Sequence, residues 1–314
     1  MSALVDRYAA LVCDLDGVVY RGPDAVPHAV EALSSLSVPV VYATNNASRT
    51  PDDVATHLRE LGLDAEPADV VTSSQAAAWL LGRDDVPDGA TVLAVGGAGV
   101  AAALDEAGLR AVRRTADAGG DVLAVVQGYG PDVTASDLAE AAYVAQAGAR
   151  WVATNTDATL PTERGTAPGN GSLVAAVSRA VGREPDDVAG KPQPPLYLLA
   201  ADRLGLPTER VLAVGDRLDT DIEGAVRAGT DSLLVLTGVD DLDAVLDAPA
   251  ERRPTFVAPD LRGLHDDPSA GHPSLDALCA AVAAVHAATD SGSTDDVGAL
   301  RERAHDLLRE MAAR

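Results

Sequence analysis

Short apolar runs alternate along this chain with Ala- and Leu-rich stretches in which apolar residues recur every three or four positions. The first pattern predicts buried strands, the second amphipathic helices, and their alternation predicts βαβ units around mainly parallel sheets. Residues 9–13 and 38–43 read as the first strands. Residues 51–61 read as a helix, with Thr50 as cap and Pro51 at the first helical position. Thr72 and Ser73, followed by Gln75, open another helix over 75–81. A polar, turn-rich stretch at 82–89 then predicts a domain boundary. A second block repeats the alternation, with strands at 91–95, 122–127 and 151–154 and helices at 100–107, 136–146 and 172–181. Strands return at 211–214 and 232–236, with a helix over 221–228 between them. From residue 266 the pattern weakens to two Ala-rich helices, 275–288 and 297–313, joined by a flexible polar segment at 290–296. Such a tail is expected to dock on the body or on a partner. The fold class is α/β, a doubly wound parallel-sheet core carrying a second α/β block.

Composition narrows the function classes. At 314 residues with 47% hydrophobic content the chain can bury a full core in two domains or one large one. The 48 acids against 24 bases give a net charge of −24, which argues against nucleic-acid and anionic-membrane binding. Acid richness fits either salt adaptation or a GC-rich genome. Cys13 and Cys279 form no metal-binding pair and no disulfide framework, so a cytoplasmic location is expected. No basic, apolar leader and no membrane-spanning run is evident. Of the 24 basic residues only Lys191 is a lysine. A compact ammonium surviving in an arginine background suits contact with a phosphate oxygen or carboxylate.

Polar groups gather where apolar runs stop. Asp14 and Asp16 follow the first strand; two residues apart in an extended chain, they would point the same way, with Gly17 allowing a sharp turn. Close carboxylates repel unless a cation or shared proton intervenes, and a hard divalent ion such as Mg2+ is the natural cation. The second strand ends in Thr44, Asn45 and Asn46, neutral groups suited to an anion, with Asn46 able to orient the loop. Lys191 lies in a third segment. The strand at 211–214 runs into Gly215-Asp-Arg-Leu-Asp-Thr-Asp221, where Asp216 is the strongest ligand candidate and Asp219 and Asp221 also fit a helix dipole. Parallel sheets bind ligands beyond the carboxyl ends of their strands. The four segments therefore form the parts of a metal-assisted phosphate site.

In order, Asp14-Leu-Asp-Gly17, Thr44-Asn-Asn46, Gly190-Lys-Pro192 and Gly215-Asp-Arg-Leu-Asp-Thr-Asp221 resemble the four motifs of the haloacid dehalogenase superfamily. Val18-Val-Tyr20 and Gly190-Lys-Pro192 look like its NagD-type branch of small-molecule phosphatases. The resemblance runs from about residue 9 to 263. It implies a core formed by residues 1–82 and 189–265, an inserted cap at 83–188 and a helical tail at 266–314. It also implies Asp14 as nucleophile and Asp16 as general acid and base. Mg2+ would be held by Asp14, the Asp16 carbonyl and Asp216, with Asp221 just behind. Thr44, Asn45 and Lys191 would bind the phosphoryl oxygens. The acid at Asp16 favours phosphate-ester chemistry over dehalogenation. The stretch from Trp151 to Asn170 resembles the actinobacterial glycerol-3-phosphate phosphatases, making Asn155, Asp157 and the loop to Arg164 specificity candidates. Leu160 stands where pyridoxal-phosphate phosphatases carry a histidine. Glycerol 3-phosphate is thus the favoured substrate, with phosphoglycolate, pyridoxal phosphate and nucleotide monophosphates as alternatives. A homodimer through the cap is a further expectation.

Two other readings compete. Residues 91–95 followed by Gly97-Ala-Gly-Val-Ala-Ala102 match a dinucleotide fingerprint and would make the protein a dehydrogenase, although no acid ends the next strand. A signalling receiver also needs an acceptor Asp and a distant lysine, but position 14 is too early for its acceptor and the inserted block too large.

Overall fold

Strands and helices alternate through most of the chain, as the apolar pattern predicts. The computed structural model describes residues 3–83, 86–162, 164–266, 274–292 and 297–313; parts of the turn at 82–89, of the loop to Arg164 and of the segment at 290–296 lie outside them. The strands are β1 (Ala10–Cys13), β2 (Tyr20–Arg21), β3 (Asp24–Ala25), β4 (Val40–Thr44), β5 (Val70–Thr72), β6 (Thr91–Val95), β7 (Arg110–Val112) and β8 (Ala124–Gln127). They continue as β9 (Arg150–Ala153), β10 (Thr159–Thr162), β11 (Gly165–Pro168), β12 (Asp187–Val188), β13 (Val211–Gly215), β14 (Asp231–Val235) and β15 (Phe256–Ala258). The helices are α1 (Ala29–Ser34), α2 (Pro51–Glu60), α3 (Ser73–Arg83), α4 (Ala98–Glu106), α5 (Ala135–Gln146) and α6 (Asn170–Val181). Then follow α7 (Pro195–Leu204), α8 (Glu223–Ala228), α9 (Leu242–Leu246), α10 (Leu275–Asp290) and α11 (Val297–Ala312).

Two sheets carry the fold. One runs β15–β14–β13–β1–β4–β5, the other β12–β9–β8–β6–β7. Pairings such as Cys13 with Val214, Cys13 with Tyr42 and Val95 with Gln127 are parallel. Two short antiparallel hairpins, β2–β3 and β10–β11, stand apart from them. The strand β1 is buried along its whole length, which explains its unbroken Ala-Leu-Val-Cys run: a parallel strand covered on both faces has no polar side.

By its contacts the chain divides into two compact units, residues 1–42, 58–65 and 200–314, and residues 43–57 and 66–199. In the first, the C-terminal hairpin of α10 and α11 docks on the body, as one of the two expected arrangements. The Arg253 guanidinium pairs with Asp290, and Arg301 pairs with Asp243 on α9 and with Asp247 just after it. His286 Nε2 lies 2.8 Å from the Val245 carbonyl. The second unit takes in more of the chain than the insertion expected at 83–188. Its core packs Leu93, Val125, Ala141, Val174 and Val177 around Trp151, which is fully buried. Burial of one such aliphatic side chain contributes about 1.5–3 kcal/mol.

The element boundaries differ from the sequence pattern in instructive places. The helix expected over 75–81 starts at Ser73, because Thr72 and Gln75 exchange side-chain and backbone hydrogen bonds at 3.2 and 3.1 Å. Before α8, residues 218–222 form one wide turn in which Ile222 N–H donates to Arg217 O at 3.1 Å. The strands β7, β12 and β15 are too short for a readable alternation. The helix α7 begins at Pro195, since the first helical position tolerates proline.

The start of α5 illustrates how a cap couples to pH. Thr134 and Asp137 form a reciprocal capping box, and Arg113 and Arg114 both reach the Asp137 carboxylate. Burial pushes the Asp137 carboxyl up, but the hydrogen bonds from Thr134 and Arg113 outweigh it and hold the group at about 2, below its ordinary 3.8. Its stabilisation is therefore complete above about pH 4 and is lost as pH falls through about 2. Asp137→Asn is expected to cost about 1–2 kcal/mol at pH 7, with the gap to wild type narrowing below pH 4. Urea unfolding between pH 7 and 3 measures it, and a gap independent of pH would contradict it.

Candidate active site

The first unit holds a group of carboxylates. The strand β1 stops at Cys13, and the Asp14 N–H donates to Val214 O at 2.8 Å, extending the pairing with β13 by one residue. Asp14 thus leaves the sheet beside Gly215, where β13 also ends. One carboxylate oxygen from each of Asp14, Asp216 and Asp221 lies within 4.8 Å of the others. Asp216 and Asp221 are only 1% and 2% exposed, so water screens them poorly. Backbone N–H groups answer part of this charge. Val239 N–H donates to Asp216 Oδ2 at 2.8 Å, and Asp221 Oδ2 accepts from Asp216 N–H and Arg217 N–H at 3.3 and 3.1 Å. Asp221 so closes the wide turn at 218–222 while still facing its neighbours. Three carboxylate oxygens are hard donors, and an ion bonded at about 2.0–2.1 Å would bring its ligands about 3–4 Å apart. The residues fit Mg2+. Asp219 is on the surface, paired with Arg217 at 3.0 Å, and plays no part in the group.

Asp16 stands just before the turn that Gly17, at a φ of 85°, allows. Val19 and Tyr20 N–H groups donate to Leu15 O at 2.9 and 3.1 Å, and Gly17 N–H to Tyr20 O at 2.8 Å, closing that turn. The exposed Asp16 side chain follows Asp14 in this turn and is not one of the three clustered carboxylates. Among the described residues the clustered carboxylates are one from the end of β1 and two from the region after β13.

Sequence reading missed the loop that holds Asp216. A Cβ on Gly238 would overlap the Asp216 carboxylate, and one on Gly17 would sit 2.8 Å from Asp216 Cγ. Thr237 Oγ1 donates to Gly17 O at 2.7 Å, tying the two glycine segments together. A Gly-Val pair after a strand carries no chemical signature, so only the fold discloses it.

The second unit holds a group of amides around Lys191, which is buried. The Thr44 hydroxyl accepts from Asn46 N–H at 3.0 Å and still carries one donor hydrogen. Asn46 Oδ1 accepts from Ser48 N–H and Ser48 Oγ at 2.9 and 2.8 Å, orienting the loop as expected and leaving that oxygen engaged locally. Asn45 departs from expectation. Its Oδ1 accepts from Lys191 N–H at 2.8 Å, and its Nδ2 donates to Lys191 O at 3.0 Å and to Asp157 Oδ2 at 3.3 Å. The side chain expected to bind a phosphoryl oxygen is committed to the backbone of the lysine. Asn155 Nδ2 donates to Asn45 O at 2.8 Å, while its Oδ1 accepts from Asp157 N–H at 3.2 Å. Asn155 is buried and serves the loop architecture, whereas Asp157 is half-buried. Ser73, Ser74 and Asn170 escaped the sequence reading: the serine hydroxyls donate to Asn45 O and Ala47 O, and Asn170 Nδ2 to Asn155 O. The signal for the two serines was the Ser-Ser pair directly after a capping Thr.

The glycine-rich turn before α4 is filled by the protein itself. A Cβ on Gly97 would sit 2.9 Å from Ser48 Cα and one on Gly99 2.6 Å from Ala47 O, while Gly99 N–H donates to Ser48 O at 3.3 Å. The glycines admit the 47–49 backbone where a dinucleotide's pyrophosphate would have to lie. Arg113, not an acid, follows β7. The dehydrogenase reading fails on both counts.

Comparison with known proteins agrees with this geometry. Residues 11–110 match the haloacid dehalogenase-like hydrolases, and residues 188–264 a HAD-hydrolase-like family. The chain is 50% identical over 268 residues to D-glycerol 3-phosphate phosphatase of Mycobacterium tuberculosis, covering 85% of this chain and 74% of that protein. Crystal structures of glycerol phosphate phosphatase from the same organism with calcium and with magnesium superpose with TM-scores of 0.78 and 0.80 at 49% identity. Each covers 85% of this chain, and 75% and 79% of the other. The acid sugar phosphatase of Staphylococcus haemolyticus is 37% identical, covering 81% of this chain and 94% of its own.

Gly238→Ala is expected to displace Asp216 and weaken Mg2+ binding at least about tenfold, because the added methyl group occupies the position of a carboxylate oxygen. Calorimetric Mg2+ titration reads this. Gly298→Ala, whose Cβ would meet open space, should bind as wild type, and equal affinities for all three proteins would disprove the crowding argument.

Proposed function

This chain belongs to the haloacid dehalogenase-like hydrolases, and from that membership we propose a Mg2+-dependent phosphatase that hydrolyses a small organic phosphate monoester, glycerol 3-phosphate foremost. The observation that carries the reading is the convergence of Asp14, Asp216 and Asp221 on one point at the ends of two neighbouring strands. The likeness to glycerol 3-phosphate phosphatase supports the substrate, and the crystal structures of such an enzyme with magnesium support the metal.

In this mechanism Asp14 attacks phosphorus in line and becomes an aspartyl-phosphate, which water then hydrolyses. Asp16 donates a proton to the leaving alkoxide and later accepts one from the attacking water. Asp14, the Asp16 carbonyl and Asp216 hold the metal, with Asp221 behind; when bound, Mg2+ neutralises charge on the phosphoryl oxygens and on the carboxylates. Thr44 and Lys191 bind the transferring oxygens, the hydroxyl as a neutral donor and the ammonium as a compact charge. Two anions, Asp14 and the phosphate, approach each other in this reaction, so positioning and charge neutralisation dominate the rate. Asp157 and the β10–β11 hairpin reaching Arg164 contact the leaving group. The protein works in the cytoplasm, a reading supported by its free cysteines; among the described residues no helix is long and apolar enough to cross a membrane. Its partner is the phosphate ester, with no nucleic acid or membrane, and it pairs with a second copy through the cap at 83–188.

Asp14→Asn is expected to abolish turnover, and retention of a tenth of the wild-type phosphatase rate would end the nucleophile assignment. In a rate panel with Mg2+, glycerol 3-phosphate should exceed 2-phosphoglycolate, pyridoxal phosphate and UMP in kcat/KM. Preference for either of the last two would overturn the substrate. EDTA should stop the reaction, and added Mg2+ should restore it.

A further inference from the structure

The geometry points to Asn45 as a positioning residue that acts through Lys191, an inference that rests on the phosphatase reading above. A carboxamide offers one acceptor oxygen and two donor hydrogens. In Asn45 the oxygen takes the Lys191 N–H at 2.8 Å, one hydrogen goes to Lys191 O at 3.0 Å, and the other faces Asp157 Oδ2 at 3.3 Å. Both hydrogens and the oxygen are engaged, and two of these three bonds grip the same residue from either side. Holding both the N–H and the C=O of Lys191 fixes the direction in which its flexible four-carbon stem departs. The clamp needs a close approach, which Gly190 permits: a Cβ there would sit 2.7 Å from Asn45 Oδ1 and 2.5 Å from Thr154 O.

Asn45 is itself held. Its carbonyl accepts from Asn155 Nδ2 at 2.8 Å and from Ser73 Oγ at 2.7 Å. The Asn155 carbonyl accepts in turn from Asn170 Nδ2 at 2.8 Å, and Asn170 Nδ2 also reaches Gln127 O at 3.2 Å. Asn155 and Asn170 are 4% and 1% exposed, so these bonds face little competition from water. A line of amides thus runs from the end of β8, where Gln127 lies, through Asn170 and Asn155 to Asn45 and the lysine. The asparagines act by fixing where the one lysine of the chain begins, and none of them touches the substrate in this assignment.

A double-mutant cycle on kcat/KM for glycerol 3-phosphate tests the clamp. Lys191→Ala alone should lower kcat/KM at least about 100-fold, and Asn45→Ala alone about 30–100-fold, the loss expected of a misplaced charge. Placed on Lys191→Ala, Asn45→Ala should cost less than about threefold, because there is no ammonium left to misplace. An equal loss in both backgrounds would show that Asn45 acts on the substrate directly and would overturn the inference. If Asn45→Ala does not fold, as judged by near-UV circular dichroism, Asn155→Ser takes its place; its smaller loss should likewise vanish when Lys191 is absent, and its persistence would overturn the inference equally. Failure of the underlying reading looks different: Lys191→Ala would then turn over at the wild-type rate.

Discussion

Three carboxylates crowded at the ends of two parallel strands are the constraint on which this molecule turns. At separations under 4.8 Å and an effective dielectric near 20, each pair of full charges repels by about 3–4 kcal/mol. A fold tolerates that only where something answers the charge. Two of the three residues are almost fully buried, so solvent does little. Backbone N–H groups of Asp216, Arg217 and Val239 supply part of the answer. The remainder is the demand that a divalent ion meets, and the fold creates it by bringing two separate motifs together.

The parallel sheet explains how that crowding is brought about. Cys13 pairs with Val214, so whatever follows the two strands emerges side by side, however far apart in sequence. The buried strands are rigid and apolar, and the polar residues begin where they stop. Glycines then decide how close the polar residues come. Gly238 and Gly17 lie against the Asp216 carboxylate because neither has a side chain to keep it away. The wide turn at 218–222 serves the same end, returning Asp221 to the N–H groups of Asp216 and Arg217.

In the second unit the same logic appears with neutral groups. Lys191 is buried, and its placement depends on amides linked in series from Asn170 through Asn155 to Asn45. Such a network leaves few alternatives for each side chain, since every substitution strands a buried partner. The glycine-rich entry to α4 belongs to this packing as well. Its resemblance to a nucleotide-binding turn is a coincidence of spacing: glycines permit close backbone approach whether the approaching group is a pyrophosphate or the 47–49 loop.

The sequence alone determined the α/β class, the strands that matter and the segments bearing the chemistry. Apolar runs ending in Asp14, Thr44 and Asp216 are local signals, written in consecutive residues, and a single lysine among 24 basic residues is visible by inspection. Tertiary structure decided the partnerships. It put Asp14 with Asp216 and Asp221, gave Asn45 to the Lys191 backbone, and brought in Gly238, Val239 and Asn170, which carry no distinctive pattern. The physical reason is range. Hydrophobic periodicity and turn chemistry act over a few residues, whereas the capacity of a carboxylate or an amide is spent on whatever the fold brings within about 3 Å, and that is set by strand register between segments 100 or more residues apart.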